Sequence, residues 1–458
     1  MLKNNMKRIL FTIVALTALF TLSAQTPEAV RESIRKYPNL AVPTFSTYPC
    51  MPLEKVADAP KGFEPFYFSI VSRHGSRYEQ HDKYFRRIVG IFHKADSLGI
   101  LTAEGKRIHQ KLVAILNIQK GRDGELTSLG YEQLRLIGNR AYKNFPQIFS
   151  GECSIDGRSS TSLRCVFSMV AFVQGLKENN PAIKVDQRAS KSELPTIRPL
   201  VDNKERSPQY FQDYHKAYYN KGNFKNLKQW EREQRTPDFM SKITTDRERL
   251  LKECGGQYDF SVMHNTLKTL LFASNFSVDC SELIERNFTL DELYMTYISA
   301  AYKWVCNSAS VGHEIVETRM SCMRPLVEDI FARANAAIKG ENPNVADLRF
   351  THDSYVVPLQ SYMGYENSCG VYDADVEKAA TSLALAPMVP MAANVQFILY
   401  RNEAGKVLVR TLVNERDATL PIKCKTAPFY EWDDFCKFVT KRMDKIEVTR
   451  DKVLKSLQ

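Results

Sequence analysis

The sequence predicts an α/β core that is interrupted by a mostly helical cap. Stretches with strand and helix signals flank a middle region where strand signals are scarce, and a short apolar strand on each side runs directly into histidine and charged residues. We therefore expect a discontinuous core, residues 25–180 and 341–458, around a cap formed by residues 181–340. With 44% hydrophobic and 25% charged residues among 458, the chain resembles globular proteins and not disordered or fibrous ones.

The first 24 residues have the pattern of a signal peptide. Cations at positions 3, 7 and 8 precede an apolar run over residues 9–22, and small residues follow directly before Gln25. The alternative is an uncleaved anchor helix, for which the apolar run is short. We therefore expect an exported protein, periplasmic or secreted, without an integral membrane span after cleavage.

The first part of the core contains one clear strand and several helices. The apolar and aromatic run 66–71 predicts a buried strand of the kind found in parallel sheets. Helical periodicity covers residues 83–118, a helix is expected over 127–142, and apolar residues recur at helical spacing over 161–176.

The middle region is predicted to be helical. Residues 203–253 are highly charged with interspersed aromatic residues, which favours helix packing over a ligand platform. Thr289 followed by Glu292 is a capping box that opens a helix, and a second helix over 324–339 is expected to end at Gly340.

Strand signals return in the last part of the chain. Residues 345–351 form a short apolar stretch that leads into His352 and Asp353, with a helix expected from Ser354. Residues 394–401 and 406–412 predict a hairpin around an N-E-A-G turn, and residues 433–457 predict a terminal helix.

Charge and composition narrow the classes of partner. Removal of the leader and its three cations lowers the formal net charge from +11 to +8, which fits either a phosphorylated small molecule or a solubilising surface. No nucleic-acid-binding signature is present, so no nucleic acid partner is expected. The eight histidines and ten cysteines lack metal-ligand spacing, so we expect neither a metal nor another cofactor, although an exported chain could pair some cysteines.

Two clusters of chemically active residues follow predicted strands. The first is S-R-H-G-S-R-Y at 72–78, and the second is His352-Asp353 after the strand 345–351. Open α/β sheets bind ligands at the carboxyl ends of their strands, which favours a site formed by both clusters. Taken singly, the first cluster is also compatible with surface cations, and the second with a helix N-cap.

Five motifs, in order from about residue 70 to 415, resemble those of the histidine acid phosphatases, within the histidine phosphatase superfamily. The last of them resembles the multiple inositol polyphosphate phosphatase branch. The motifs are R-H-G-x-R at 73–77, L-T-x-x-G-x-x-Q at 126–133, L-R-C-x-x-S-x-x-A-F-x-x-G-L at 163–176, F-T-H-D-S-x-x-x-P-L at 350–359 and M-A-A-N-V-Q-F-I-L-Y at 391–400.

The resemblance implies a Rossmann-like three-layer α/β/α core with a helical cap, and a phosphatase that needs no cofactor. It implies His74 as nucleophile and Asp353 as proton donor. Substrate phosphate would be bound by four residues: Arg73, Arg77, Arg164 and His352. Arg158, further upstream, is a weaker alternative to Arg164.

The chain departs from the family pattern at two places. Glu79 stands where the family usually has proline, and His352-Asp353-Ser354 replaces the His-Ala-Glu that is typical of the inositol polyphosphate branch. Beyond the motif, His81, Lys83 and Arg86, with Arg87, are either contacts to outer phosphates or one solvated helix face.

The resemblance favours phytate-like inositol phosphates as substrates. A broad-specificity acid phosphatase acting on sugar phosphates or nucleotides is the alternative within enzymes. A catalytically inactive polyanion-binding protein is the alternative from another class, and it would be expected to lack His74 or Asp353, both of which are present.

Overall fold

The computed structural model describes residues 26–220 and 224–458, so the predicted leader lies outside the described residues. Eight of the strands in this part of the chain form one sheet, and the other two pair with each other. The strands are β1 (Phe63–Arg73), β2 (Ser154–Ser159), β3 (Lys184–Arg188), β4 (Ser310–Val311), β5 (Ala346–Thr351), β6 (Gly370–Val371), β7 (Asn394–Asn402), β8 (Val407–Val413), β9 (Arg416–Asp417) and β10 (Phe429–Glu431).

The main sheet is mixed, with its parallel half next to β1. Its order is β10-β8-β7-β1-β5-β2-β3, and β9 pairs with β8. Strands β1, β5, β2 and β3 are parallel neighbours, whereas β7, β8 and β10 continue the sheet in antiparallel fashion. The carboxyl ends of β1 and β5 therefore lie side by side.

Helices surround this sheet and form the cap, and none of those described is long and apolar enough to cross a membrane. They are α1 (Pro27–Lys36), α2 (Lys83–Ser97), α3 (Ala103–Gln119), α4 (Ser128–Asn144), α5 (Pro146–Phe149), α6 (Leu163–Lys177), α7 (Leu194–Ile197), α8 (Pro199–Asp202), α9 (Gln209–Tyr218), α10 (Phe224–Glu233), α11 (Pro237–Ile243), α12 (Arg247–Glu253), α13 (Asp259–Phe272), α14 (Ser281–Asn287), α15 (Leu290–Asn307), α16 (Glu314–Ser321), α17 (Arg324–Lys339), α18 (Asp353–Met363), α19 (Val376–Thr381) and α20 (Trp432–Leu457).

Two apolar clusters cover the two faces of the sheet. Because successive side chains of a strand point to opposite faces, Phe68 and Ile70 of β1 pack with α4, α5 and α6, while Tyr67 and Val71 pack with α17, α18 and α20. The three-layer α/β/α core expected from the sequence is thus confirmed.

A third apolar cluster forms the core of the helical cap, and the elements that contribute to it are not those of the expected segment 181–340. It includes side chains of α2 and α3, which precede that segment, together with those of α10–α15. Conversely, β3 and α17 lie inside the segment but belong to the sheet and its covering layer. The approximate boundaries at 180/181 and 340/341 therefore do not follow the packing at either end.

Most of the predicted elements are present. The capping box of Thr289 and Glu292 opens α15, and Gly340 ends α17 in the left-handed conformation. The helical stretch 83–118 is two helices, α2 and α3, because the chain turns between them at Gly99, which has a φ of 68°. Strand β2 was not predicted, since its sequence S-I-D-G-R-S lacks an apolar pattern.

Close backbone contact joins α4 to α6 behind the carboxyl end of the sheet. A Cβ at Gly175 would lie 1.9 Å from the carbonyl oxygen of Arg135, and one at Gly138 would lie 2.1 Å from that of Phe172. Only glycine permits two helix backbones to approach this closely, so both helices are fixed relative to each other by residues without side chains.

We predict that Gly175→Ala destabilises the protein by about 1–3 kcal/mol, because the new methyl group must push two packed helices apart. The matched control is Gly90→Ala on the exposed face of α2, where a Cβ meets nothing within 4 Å. That change should stabilise the helix by about 0.5–1 kcal/mol. Denaturant titration of both variants measures the two effects, and equal changes would contradict the packing argument.

Candidate active site

The two sequence clusters meet at the carboxyl ends of β1 and β5. Arg73 and Thr351 are register partners in these parallel strands. The His74 amide continues the pairing by donating to the carbonyl oxygen of Thr351 at 3.1 Å. His74 and His352 consequently face each other, with ring centroids 5.5 Å apart in an edge-to-face arrangement.

The loop after His74 is held tightly against the start of α4. A Cβ on Gly75 would lie 2.2 Å from the carbonyl oxygen of Gly130, and one on Gly130 would lie 2.0 Å from that of Ser76. The backbone of Ser76 donates to Gln133 Oε1 at 2.8 Å and accepts from the amide of Thr127 at 2.9 Å. The L-T-x-x-G-x-x-Q motif therefore positions the loop after His74.

Helix α6 adds a second attachment to the same loop. The amide of Gly75 donates to Ser168 Oγ at 3.1 Å, and that hydroxyl donates to the carbonyl oxygen of Arg164 at 2.7 Å. Arg164 lies in the first turn of α6, so the contact that positions Gly75 also fixes the start of the helix that bears Arg164.

The ring of His74 is buried and has a defined tautomer. Its Nδ1 lies 2.9 Å from the carbonyl oxygen of Gly75, which can only accept, so Nδ1 carries the proton and Nε2 keeps its lone pair. Burial, followed by the positive charges of Arg73 and Arg164, holds the pKa of His74 well below its ordinary value. The neutral imidazole is thus favoured over the imidazolium.

Arg73 is fully buried and anchored through one end of its guanidinium group. Its Nη1 donates to three backbone carbonyl oxygens, those of Thr44 (2.7 Å), Val389 (2.9 Å) and Pro390 (3.1 Å). Neither Nε nor Nη2 makes a hydrogen bond of good geometry within the described residues, although Nη2 lies in ion-pair contact with Asp353 at 3.0 Å. The edge formed by Nε and Nη2 therefore remains for a planar oxyanion contact.

Arg77 is buried beside a carboxylate that the resemblance did not anticipate. Its Nη1 donates to the carbonyl oxygen of Tyr78 at 2.8 Å and lies 3.5 Å from Glu79 Oε1. The backbone amide of Glu79 donates to Gln119 Oε1 at 2.7 Å, and Gln119 Nε2 donates to the carbonyl oxygen of Glu79 at 3.0 Å. The proline usual in the family would lack the first of these hydrogen bonds.

His352 lies between Arg164 and Ser160. Arg164 Nη2 donates to His352 Nδ1 at 3.4 Å, and His352 Nε2 lies 3.3 Å from Ser160 Oγ. Burial and the charge of Arg164 lower the pKa of His352 to about 3, so this ring is also neutral. Burial lowers the pKa of Arg164 as well.

Asp353 is the first residue of α18, and the N-cap is His352, which makes no side-chain capping bond. Asp353 is therefore not the N-cap residue, although its carboxylate accepts a hydrogen bond from the amide of Ser354 in the first turn at 2.7 Å. Burial alone would raise the pKa of Asp353, but the guanidinium groups of Arg73 and Arg77 outweigh it and hold the pKa below its ordinary value.

Residues 67–414 match the family model of the histidine phosphatase superfamily (branch 2). This chain belongs to that superfamily. The match covers the described motifs and both strand ends of the site, and family membership makes the chain a phosphoric monoester hydrolase. No protein among curated sequences matches the chain significantly.

Solved structures of phosphatases share the fold. The multiple inositol polyphosphate phosphatase of Bifidobacterium longum, in complex with inositol hexasulfate, is similar at a TM-score of 0.68 and 17% identity, covering 85% of this chain and 95% of that one. The phytase from D. castellii is similar at a TM-score of 0.59 and 16% identity, covering 88% and 85%. At these identities the similarity establishes the histidine phosphatase fold.

The remaining predicted residues of this phosphatase lie outside the cluster that His74, His352 and Asp353 form with the three arginines. Arg158, the alternative to Arg164, forms ion pairs with Asp329 at 2.7 Å and Asp156 at 3.2 Å. His81 and Lys83 are exposed near the start of α2, and Arg86 pairs with Asp82 at 2.9 Å. Their role toward outer phosphates stays a prediction.

Several positioning residues were not assigned from sequence. Ser168, Gln133 and Gly130 lie inside quoted motifs, but their spacing does not reveal that they bind the backbone after His74. Thr44 lies outside every motif, so nothing in the sequence connects it to Arg73. Among the described residues, no three His, Cys, Asp or Glu side chains form a group that could hold a metal ion.

We predict that the rings of His74 and His352 do not gain a proton between pH 8 and pH 5, because burial and neighbouring arginines oppose the charged form. A histidine in water titrates near pH 6.5. Ring carbon-13 chemical shifts of labelled histidine, assigned with His74→Asn and His352→Asn variants, measure this directly. A midpoint near 6.5 for either ring would contradict the electrostatic description of the site.

Proposed function

We propose that the protein is a histidine acid phosphatase that transfers the phosphoryl group of a monoester to His74. The observation that carries this proposal is the state of the His74 ring, which is neutral, has its proton on Nδ1 and keeps the Nε2 lone pair free. Such a nitrogen is a competent nucleophile without a further base. In the first step, Nε2 forms a bond to phosphorus while the bond to the leaving oxygen breaks.

The substrate phosphate would be held by Arg73, Arg77, Arg164 and His352. Buried Nε atoms of all three arginines make no hydrogen bond within the described residues, so a dianionic phosphate would supply acceptors that these donors lack. The same charges reduce the repulsion between the phosphate and the attacking lone pair and keep phosphorus in line with Nε2.

Asp353 would donate the proton to the leaving alkoxide. In the free enzyme, Arg73 at 3.0 Å favours its ionised form. A bound phosphate dianion offsets the charge of these arginines, which raises the pKa of the carboxyl and favours its protonated form when the substrate is present. In the second step the Asp353 carboxylate accepts a proton from water, whose oxygen attacks phosphorus and breaks the bond to His74.

We further propose inositol polyphosphates as the substrate class and export as the destination. The similarity in fold to the Bifidobacterium longum and D. castellii enzymes supports the substrate class, as does the net positive charge. The sequence pattern of residues 1–24 supports export to the periplasm or the medium. The direct test of the substrate class is phosphate release from inositol hexakisphosphate compared with release from an aryl phosphate. Turnover of the aryl, sugar or nucleotide phosphates alone would favour a broad-specificity acid phosphatase.

We predict that His74→Ala abolishes turnover, because the change removes the phosphoryl acceptor. The protein should remain folded, because only one small ring is lost from the buried interior. Acid quenching of the wild-type enzyme during turnover should trap phosphate on His74, detected by mass spectrometry. Substantial residual turnover in the variant, or trapped phosphate on another residue, would refute the assignment of the nucleophile.

We predict that Asp353→Asn slows phosphorylation by inositol hexakisphosphate about 10²–10⁴-fold and has little effect with an aryl phosphate. An inositol alkoxide is strongly basic and needs the proton, whereas a phenolate leaves without it. Single-turnover phosphorylation rates on both substrates measure the difference.

The melting temperature of Asp353→Asn serves as the control for this prediction. Removal of the carboxylate also removes the partner of the buried Arg73, so some loss of stability is expected. Equal loss of rate on both substrates, in step with a lower melting temperature, would assign Asp353 to structure and leave the proton donor to another group.

A further inference from the structure

Residues 39–48, which precede the first strand of the sheet, lie between the cap and Arg73. We name this segment the N-terminal strap. Ser46 Oγ donates to the carbonyl oxygen of Asn39 at 2.7 Å, which closes the strap into a compact loop. Leu40, Ala41 and Val42 are buried in the apolar cluster of the cap. The strap therefore packs as part of the cap, although it precedes β1 in the chain.

The hydrogen bonds that anchor Arg73 depend on the strap by two routes. The carbonyl oxygen of Thr44 accepts from Arg73 Nη1 at 2.7 Å, the shortest of the three carbonyl contacts of this atom. The carbonyl oxygen of Ser46 accepts from the amide of Met391 at 2.8 Å, and Met391 directly follows residues 389–390, which provide the other two carbonyls. The strap thus provides one acceptor itself and binds the loop that provides the others.

The cap holds the same part of the strap through side chains. Asn275, three residues after the end of α13, is fully buried, and its Nδ2 donates to the carbonyl oxygen of Phe45 at 2.9 Å. The ring of Phe45 packs edge to face on Phe272 of α13 at 4.7 Å. Trp304 Nε1 of α15 donates to Thr44 Oγ1 at 3.4 Å. Two helices of the cap therefore fix residues 44 and 45.

The cap and Arg73 bind neighbouring carbonyl oxygens of one short turn. Thr44 and Phe45 are consecutive residues of the 3-10 turn Pro43–Phe45, whose first φ is fixed by the proline ring. A shift of the Phe45 carbonyl would therefore move that of Thr44 as well. Arg73 is sensitive to such a shift, because burial, which lowers its pKa to about 10, leaves it few other acceptors.

We propose that the N-terminal strap positions the guanidinium group of Arg73 for phosphate, and that Asn275 is the positioning residue through which the cap holds the strap. The inference rests on the proposed function, in which Arg73 binds the substrate phosphate. A guanidinium group is planar and rigid, so fixing Nη1 also fixes the edge formed by Nε and Nη2. The cap thereby contributes to phosphate binding through a residue that does not contact the phosphate.

The experiment measures the KM and kcat for an aryl phosphate and the inhibition constant of orthophosphate in Asn275→Ala. We expect the inhibition constant to rise about 10-fold and kcat/KM to fall at least as much, because a charge-assisted contact is misplaced. Loss of folded protein alone would lower the apparent kcat but leave the KM and the inhibition constant unchanged. The two constants therefore separate a positioning role from a merely structural one.

The matched control is Asn287→Ala. Asn287 is also fully buried in the cap, its Nδ2 donates to the carbonyl oxygen of Leu283 at 2.9 Å and to Glu104 at 2.8 Å, and its Oδ1, like that of Asn275, makes no hydrogen bond within the described residues. This variant should lose a similar amount of thermal stability while the KM and the inhibition constant stay as in the wild type.

Two further sets of variants test the route from the cap to Arg73. Phe45→Ala should resemble Asn275→Ala, and Phe45→Leu, which keeps an apolar contact with Phe272, should restore most of the phosphate affinity. In an Arg73→Ala background, Asn275→Ala should cause no further change in the inhibition constant, because the strap acts through Arg73. If Arg73→Ala does not fold, the Phe45 variants decide the question.

Three results would overturn the proposal: an unchanged inhibition constant in Asn275→Ala, an equal effect of Asn287→Ala, or a full further loss of affinity when Asn275→Ala is added to Arg73→Ala. Failure of the wild type to hydrolyse the aryl phosphate would count separately, against the proposed function. Orthophosphate binding measured by calorimetry would then still compare Asn275→Ala with the wild type.

Discussion

Concentration of buried positive charge around one neutral imidazole is the constraint that organises this site. Three guanidinium groups that repel one another converge near His74, and each needs its own attachment. Arg73 is held by three backbone carbonyl oxygens and Asp353, Arg77 by a carbonyl and Glu79, and Arg164 by its place on α6. The electrostatic repulsion among these charges is therefore overcome when the protein folds. A preorganised anion site stabilises negative charge strongly because its donors need no reorganisation during the reaction.

Glycine residues are as important to the site as the charged groups, because they allow backbone segments to pack in direct contact. Gly75 and Gly130 allow the nucleophile loop to lie directly on the first turn of α4, and Gly138 and Gly175 allow α4 to lie directly on α6. Because α6 bears Arg164 and Ser168, the same contacts that fix the position of His74 also fix that of Arg164. Four glycines therefore fix the position of His74 relative to Arg164.

Glu79 illustrates how one departure from a family pattern changes its surroundings. A carboxylate there faces Arg77 and acts on Lys268 of the cap, while its backbone is bound by the buried amide of Gln119. The loop after His74 is in this way connected electrostatically to the cap.

The sequence determined the fold class, the family and most of the elements, because family motifs and helical periodicity are local properties of the chain. It predicted β1, β5, the capping box of α15 and the set His74, Arg73, Arg77, Arg164, His352 and Asp353. It missed β2, whose buried Asp156 and Arg158 form ion pairs with residues distant in sequence, Arg333 and Asp329, so no apolar pattern marks it. Only the tertiary structure decided the partners of Thr44, Gln133 and Lys268, because through-space contacts between separate segments leave no periodic trace in the chain.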